Sequence, residues 1–328
     1  MTEAPSATRK TIAGRSIRWD ERRAADARAA GLWGHETLAE HLARAALETP
    51  DRVVLVEGER EIDCRTLHAE ATALAHRLSA EAPPGSVVSF MLPNWPEAAV
   101  VYLAATIAGM VAHPILPSLR EHDLGFALED SESRFIFIPE TFRGHDYAAM
   151  LSRVVAAAAR PPRVVVVRGA SGPHAAYADY IRPGATGALP KVDPDAVRLL
   201  LYTSGTTGRP KGVLHTHNTM NALVRQIGAH WLVAPGDAFL VASPVSHIGG
   251  SIYAFECPLL VGATAILMER WDADEAVRLA LRRRWTHMAG ATPFLTQLLA
   301  AARAAGTRIP DLKVFICGGA SVPPALIR

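Results

Sequence analysis

Cysteine is scarce in this chain of 328 residues, and its few cysteines are poorly placed for chemistry. Cys64, Cys257 and Cys317 are odd in number and far apart in the sequence. No two of them have the spacing of metal ligands or of a disulfide framework. We therefore expect each to pack as a small apolar residue, in a reducing compartment such as the cytoplasm.

Charge imbalance and long apolar runs are also missing. The formal net charge is +2, which gives no electrostatic argument for binding nucleic acid or a membrane surface. The longest apolar run, 98–112, is too short to span a bilayer and predicts a buried helix. Residues 1–30 are polar and lack the apolar core of a secretory signal. The short basic cluster 282–284 is predicted to end a helix rather than to bind a polyanion.

What the chain does contain is the composition of a globular protein, with 49% hydrophobic and 20% charged residues. Near-continuous apolar strands alternate with helical segments, a pattern that predicts an α/β fold with sheets covered on both faces. The predicted organisation is a flexible lead at 1–32, a first α/β subdomain at 33–168, a linker at 169–194 and a second α/β subdomain at 195–328.

Segment 201–212 has the composition of an anion-binding loop. It reads Leu-Tyr-Thr-Ser-Gly-Thr-Thr-Gly-Arg-Pro-Lys-Gly and directly follows an apolar strand. Glycine lets the backbone approach a ligand closely, and successive free N–H groups form a concavity for anions. The hydroxyl groups add donors, and Lys211 adds a point charge suited to phosphate. A generic surface loop needs neither the lysine nor the strand, so the segment predicts a polyphosphate site.

Two better-known phosphate loops do not fit this segment. A Walker loop requires Gly-Lys-Ser/Thr at its end, but Pro210 and Gly212 replace the glycine and the hydroxyl residue. The dinucleotide fingerprint fails as well, because 205–207 breaks the Gly-x-Gly step.

The segment from Tyr202 to Gly212 resembles the signature of the adenylate-forming, or AMP-binding, superfamily. Three further segments agree with that family in order and approximate spacing. Residues 244–250 resemble its substrate-pocket segment, 289–294 the strand-to-helix turn of its acyl-CoA synthetases, and 318–323 the glycine turn against adenine. The resemblance runs from about Leu38 to Arg328, and it implies two sandwiched α/β subdomains of the family's large N-terminal domain.

The resemblance implies a two-step ligation that uses ATP, Mg²⁺ and coenzyme A. A carboxylate attacks the α-phosphorus of ATP, and a thiol then takes the acyl group from the adenylate. Lys211 and Thr206 would act in catalysis. The implied nucleotide-binding residues are Thr203, Ser204, Gly205, Thr206, Thr207, Gly208, Lys211, Gly318, Gly319 and Ala320. The implied substrate-pocket residues are His247, Ile248, Gly249, Gly290 and Ala291. No residue is assigned as a metal ligand.

Some of these residues have an equally ordinary explanation. Gly318 and Gly319 also fit a plain strand-to-helix turn. A lone histidine such as His247 is more often a hydrogen-bonded structural residue, although its place in the family motif favours the pocket. His215 and His217 are predicted to pack or to begin a helix.

The predicted substrate is a simple acid. Segment 243–250 contains no Asp or Glu to pair with a buried ammonium group, which argues against an amino acid. In appearance the chain is similar to short- and medium-chain or alicyclic acyl-CoA synthetases. The predicted partners are therefore small molecules, without nucleic acid and without an integral membrane segment. A homo-oligomer is left open.

The family pattern continues beyond the residues of this sequence. Its Tyr-Gly-x-Thr-Glu segment, its ribose-binding aspartate and its small C-terminal domain have no counterpart here. The sequence therefore predicts the N-terminal portion of such an enzyme, without full catalytic competence. The alternatives are a nucleotide-binding remnant that does not turn over and an adenylating enzyme that loads a carrier protein.

Overall fold

The computed structural model describes residues 8–182, 184, 186–203 and 209–326. The chain divides into two compact units, each built from separated segments. The first unit comprises Met1–Ala43, His68–Met91 and Val100–Leu223. The second comprises Arg44–Leu67, Leu92–Ala99 and Val224–Arg328.

The elements alternate along the chain as the apolar pattern predicts. The strands are β1 (Thr8–Ile12), β2 (Arg15–Trp19), β3 (Val53–Glu57), β4 (Arg60–Asp63), β5 (Val87–Phe90), β6 (Val111–Pro114), β7 (Ser133–Ile138), β8 (Thr141–Phe142), β9 (His145–Asp146), β10 (Arg163–Val166), β11 (Ala175–Ala176), β12 (Val197–Thr203), β13 (Lys211–Thr216), β14 (Ala238–Val241), β15 (Thr264–Leu267), β16 (His287–Gly290) and β17 (Val314–Cys317).

The helices lie between these strands. They are α1 (Glu21–Ala29), α2 (Leu38–Glu48), α3 (Cys64–Glu81), α4 (Pro96–Ile107), α5 (Glu121–Asp130), α6 (Tyr147–Ala157), α7 (Tyr177–Tyr180), α8 (His217–His230), α9 (Ile248–Ser251), α10 (Cys257–Leu260), α11 (Ala273–Arg283) and α12 (Thr292–Ala304). A π-helical segment, Ile252–Glu256, joins α9 to α10, and a 3₁₀ turn follows at Pro324–Leu326.

The first unit contains a seven-stranded sheet in the order β11-β10-β7-β5-β6-β12-β13. Its strands run parallel except for β13, which pairs antiparallel with β12. Every residue of β5 and β6 is buried, as expected for central strands of a sheet covered on both faces. The predicted buried helix begins at Pro96 and ends at Ile107, and its residues 98–105 are almost fully buried.

The N-terminal lead, for which flexibility was predicted, contains regular elements from Thr8 onward. Strands β1 and β2 form an antiparallel hairpin, and α1 follows with Asp20 as its N-cap. Trp19 is buried and contacts Trp33. The hairpin is short and rich in charged residues, and only Ile12, Ile17 and Trp19 of its apolar side chains are buried.

The second unit contains a six-stranded sheet in the order β17-β16-β14-β15-β3-β4. It is parallel except for β4, which pairs antiparallel with β3. Strands β3 and β4 come early in the chain, so a single boundary at 169–194 does not separate the residues of the two sheets. Helices α11 and α12 cover it, and the fully buried Trp285 donates to the Ala276 carbonyl at 3.0 Å. Two parallel-rich sheets with helices confirm the predicted α/β class.

The arginine cluster lies at the end of α11, as predicted. Arg282 pairs with Glu59 at 3.1 Å, and Arg284 pairs with Asp311 at 2.8 Å. Arg283 is bonded to Glu61. Because each guanidinium is matched by an acid, the cluster offers little free positive charge to a polyanion.

The cysteines are unpaired, with Cys64 and Cys257 buried and Cys317 partly buried. Within the described residues, no helix is both long and apolar enough to cross a bilayer.

Candidate functional site

The predicted phosphate loop connects two antiparallel strands. Thr203 and Lys211 are the last register pair of β12 and β13, and the Thr203 hydroxyl donates to the Lys211 carbonyl at 3.5 Å. Both residues are exposed. The residues between them that were assigned to the nucleotide, Ser204, Gly205, Thr206, Thr207 and Gly208, lie outside the described residues.

This hairpin setting distinguishes the loop from phosphate loops that open a helix. Helix α8 begins only at His217, after the whole of β13. The loop is therefore not followed directly by a helix N-terminus, unlike Walker and dinucleotide loops. Side chains such as Lys211 then carry more of the positive charge that the loop offers to a phosphate.

A polar cluster flanks the hairpin on both sides of the loop. The Tyr202 hydroxyl donates to one Asp130 carboxylate oxygen at 2.6 Å. The Arg209 guanidinium lies 3.9 Å from the other oxygen and 5.2 Å from the centre of the Phe126 ring. Burial, followed by the bond to Asp130, raises the pKa of Tyr202, so its hydroxyl stays protonated and remains a donor. Asp130 has no sequence signal for this role, because it is simply the last residue of α5 and follows another acid, Glu129.

A chain of buried polar side chains lies behind Tyr202. The His113 ring is 5.2 Å from the Tyr202 ring, and its Nδ1 is 2.9 Å from the Ser89 hydroxyl. Ser89 contacts Ser133 at 2.5 Å, and Ser133 contacts Ser131 at 2.8 Å. The chain satisfies these hydroxyls inside the sheet and joins β5, β6 and β7 to the end of α5.

Protonation of His113 is expected to make stability sensitive to acid. Burial lowers the pKa of His113 from 6.5 to about 3, so the folded chain keeps the ring neutral where the unfolded chain binds a proton. Its contribution to stability is therefore complete above pH 6.5 and is lost as the pH falls towards 3. We expect this group to cost about 2 kcal/mol of unfolding free energy between pH 7.5 and pH 5, measured by urea denaturation.

The matched comparison is His113→Asn, which removes the titrating ring. Its unfolding free energy should fall less than that of the wild type over the same pH interval. An NMR titration that places the His113 pKa near 6.5 in the folded chain would contradict this prediction without requiring the variant to fold.

The second unit brings the remaining predicted segments together. The Ser243 hydroxyl, just after β14, donates to the Ala289 carbonyl of β16 at 3.4 Å. Gly290 and Cys317 are register partners in β16 and β17, and the Gly318 N–H donates to the Gly290 carbonyl at 3.2 Å. Because these strands are parallel, their carboxyl ends meet at one edge, where α/β sheets bind ligands. We call it the carboxyl edge.

The glycine turn at this edge is open. Gly318, Gly319 and Ala320 are exposed, and no atom lies within 4 Å of a Cβ built on either glycine. Gly319 has φ +80°, a conformation that favours glycine. The Thr292 hydroxyl donates to the Ser321 carbonyl at 2.9 Å and ties the turn to α12. The two glycines thus present bare backbone, a surface on which a flat base can stack.

The pocket segment is tightly packed around its glycines. His247 caps α9, and its Nδ1 accepts a bond from the Gly249 N–H at 3.0 Å, while its side chain remains exposed. A Cβ on Gly250 would lie 2.2 Å from the Pro244 carbonyl oxygen, so the segment's own backbone fills that space. A Cβ on Gly290 would meet Phe294 at 3.1 Å. Ile248 and Ala291 are partly exposed.

Asn94 holds this edge together and was not found from the sequence. Its amide nitrogen lies 3.0–3.1 Å from the carbonyl oxygens of Val241, Ser243 and Met268. Its side-chain oxygen accepts from the Val245 N–H at 2.9 Å. One buried amide thus joins the ends of β14 and β15 to the start of the pocket segment. An Asn before a proline-led helix predicts an N-cap, and no local signal points to partners about 150 residues away.

His217 takes the packing and helix-entry role that was predicted for it. It is buried at the start of α8, and its Nδ1 accepts from the Leu38 N–H at 3.4 Å. Burial, with a smaller effect of Arg198, lowers the pKa of His217 well below 6.5 and keeps it neutral. His215 is partly buried in β13.

The described part of the chain does not provide a metal site. No group of three or more His, Cys, Asp or Glu side chains is placed there to hold an ion. No step is assigned to the Mg²⁺ that the resemblance implies.

Over most of its length, the chain is similar to known proteins in both sequence and fold. Residues 42–328 match the family model described as AMP-binding enzyme. The chain is 29% identical over 318 residues to the medium-chain fatty-acid–CoA ligase of Escherichia coli (strain K12), covering 95% of this chain and 56% of the relative. It is 30% identical over 316 residues to the salicyl-AMP ligase / salicyl-S-ArCP synthetase of Mycobacterium tuberculosis (strain ATCC 25618 / H37Rv), covering 92% and 55%.

A solved structure shows the same agreement. The N-terminal domain of FACL13 from Mycobacterium tuberculosis, solved with an inhibitor bound, superposes with a TM-score of 0.76 at 26% identity, covering 89% of this chain and 72% of that one. The chain spans about half the length of the curated relatives it matches. From the family match over most of its length, the chain belongs to the AMP-binding enzyme family.

Proposed function

We propose that this chain serves the ATP-dependent activation of a carboxylic acid to an acyl-adenylate, followed by transfer of the acyl group to the thiol of coenzyme A. The observation that carries the proposal is the grouping of the pocket segment, the β16 turn and the open glycine turn at the carboxyl edge. A base on the glycine turn and an acid beside the pocket segment would then be neighbours within one unit.

The first step joins two anions, so charge has to be neutralised and the attack aligned. A carboxylate oxygen forms a bond to the α-phosphorus while the bond from that phosphorus to the bridging oxygen breaks, and pyrophosphate leaves with the electron pair. Lys211 supplies positive charge for the phosphates, and the hydroxyls of Thr203 and Thr206 supply donors. Groups fixed in advance where charge develops contribute most to such a step.

In the second step the thiol sulfur attacks the acyl carbon, the acyl–phosphate bond breaks, and AMP leaves. The thiol proton has to go to a base or to water. His247 is exposed at the pocket segment, but its Nδ1 is occupied by the Gly249 N–H. Its proposed part is therefore to shape the pocket entrance.

The proposed substrate is an acid without an amino group. The pocket segment offers no carboxylate to an ammonium group, and burying that group without a partner is unfavourable. A relative described as a medium-chain fatty-acid–CoA ligase supports the same class. We propose a short- or medium-chain or alicyclic acid.

A panel of acids tests the proposal directly. The chain is mixed with ATP, Mg²⁺ and each acid, and pyrophosphate release and hydroxylamine trapping of the acyl group are measured. Hydroxamate that depends on an alicyclic or medium-chain acid supports the proposal. ATP binding by calorimetry without pyrophosphate release, over the whole panel, would favour a nucleotide-binding remnant instead.

A carrier protein is the alternative acceptor, and one specific finding favours it. A relative of similar identity is described as a salicyl-S-ArCP synthetase as well as a salicyl-AMP ligase. If adenylate forms, AMP release that depends on coenzyme A supports the main proposal. AMP release that depends only on a phosphopantetheine-bearing carrier protein supports the alternative.

A further inference from the structure

Asp130 shares its carboxylate between the two flanks of the phosphate loop. One oxygen accepts from Tyr202, which precedes the loop, and the other faces Arg209, which follows it. All three residues belong to the first unit. None of the site assignments made from the sequence includes Asp130 or Arg209.

The two contacts differ greatly in strength. The bond from Tyr202 is 2.6 Å long, within the range of strong hydroxyl-to-carboxylate bonds. The Arg209 contact is 3.9 Å long, and the side chains of Arg209 and Asp130 are 76% and 42% exposed. A long ion pair in that much water contributes little. Arg209 is therefore placed by Asp130 and the Phe126 ring but not tightly held.

A triphosphate is a better partner for this guanidinium than Asp130. The triphosphate carries several negative charges, and two oxygens of one phosphate can accept two hydrogen bonds from the planar guanidinium group. Arg209 stands two positions before Lys211 in the chain, on the side of the loop that carries the predicted phosphate charge. No helix begins directly after the loop, so a second cation would add to the charge of Lys211.

We propose that Arg209 is a second triphosphate-binding residue, held on Asp130 in the nucleotide-free chain and transferred to the phosphates when ATP binds. The inference rests on the proposed nucleotide site. Asp130 stays bonded to Tyr202 throughout, so its role is to position Arg209 and to compete weakly for it.

The experiment measures ATP and AMP affinity by calorimetry, in buffer with Mg²⁺, for the whole chain and four variants. Arg209→Gln removes the cation. Asp130→Asn removes the competing charge while its amide oxygen can still accept from Tyr202. The third variant combines both changes. The control is Arg160→Gln, because Arg160 is also 76% exposed and forms a surface pair with Glu132.

We expect Arg209→Gln to weaken ATP binding about 5- to 20-fold and to leave AMP binding unchanged, since AMP lacks the β- and γ-phosphates. Asp130→Asn should strengthen ATP binding about 2- to 5-fold in the wild-type background and have a much smaller effect once Arg209 is gone. The control should change neither affinity.

Whether Asp130→Asn strengthens or weakens ATP binding distinguishes the proposal from the main alternative. If Asp130 instead fixes the ends of the loop, its replacement weakens ATP binding, and the proposal is overturned. An equal gain with and without Arg209 would show a general charge effect and would also overturn it. If the wild type binds neither ATP nor AMP, the proposed function fails first, and that result is distinct from both.

Discussion

Replacing Lys211 with alanine is expected to weaken ATP binding about 10- to 100-fold, because a charge-assisted contact to phosphate is lost and no helix begins directly after the loop to compensate. Lys211 begins β13 and is exposed, so the free energy of unfolding should hardly change. Pyrophosphate release, if present in the wild type, should fall at least as far. Calorimetry with ATP measures the first effect and urea denaturation the second.

Two companion variants sharpen this result. Lys211→Arg keeps the charge and should recover part of the affinity, although its planar group cannot reproduce a compact ammonium. Lys191→Ala removes another exposed lysine of the first unit and should leave ATP binding as it is. Unchanged ATP affinity in Lys211→Ala would remove the loop from the proposed site.

Replacing Asn94 with alanine is expected to lower the free energy of unfolding by about 3 to 5 kcal/mol, since it removes four hydrogen bonds of one buried amide at once. The Val241 carbonyl keeps a second donor, the Met268 N–H at 3.0 Å. The bonds at stake run to Val241, Ser243, Val245 and Met268. Urea denaturation measures the loss. Hydrogen exchange should show faster exchange at 241–250 and at 265–269 than elsewhere in the second unit.

Trp95→Phe is the matched control for Asn94→Ala. Trp95 is the next residue and donates to Glu269 at 2.7 Å, so its replacement also removes a bond to the same edge while keeping an aromatic ring. We expect it to cost only about 1 kcal/mol. A loss below that value for Asn94→Ala, with uniform exchange, would mean that the edge does not depend on Asn94.

The elements of this fold are largely readable from the sequence because their signals are local. Apolar runs mark β5, β7, β10 and β14, and Pro96 marks the start of α4 where the structure has it. The pairing of β3 with β15 has no such signal, because it depends on which apolar strands meet after the chain has folded. The apolar pattern of a segment predicts that it forms a strand, but not which other strand pairs with it in the sheet.

The residues of the candidate site also fall into two groups, those with a local sequence signal and those without one. Lys211 and the glycine turn are identified by short motifs, and the chain positions around them are fixed by the adjacent strands. Asn94 and Asp130 act through contacts with residues far along the sequence, and their own surroundings look like an ordinary helix start and an ordinary helix end. The close packing beside Gly250 also has no sequence signal, since it depends on how closely Pro244 folds back.

The second sheet pairs an early strand, β3, with a late one, β15, and this affects how the chain folds during synthesis. All segments of the first unit have been made once residue 223 has left the ribosome. In contrast, β3 has to wait for β15, more than two hundred residues later, before its parallel neighbour exists. Until then, the edge of β3 that will face β15 has no strand to pair with, and its apolar residues Val54, Leu55 and Val56 are not yet buried. Such an edge is prone to aggregation and is a typical target of chaperones. The order of synthesis therefore favours a first unit that folds early and a second that folds after most of the chain is complete.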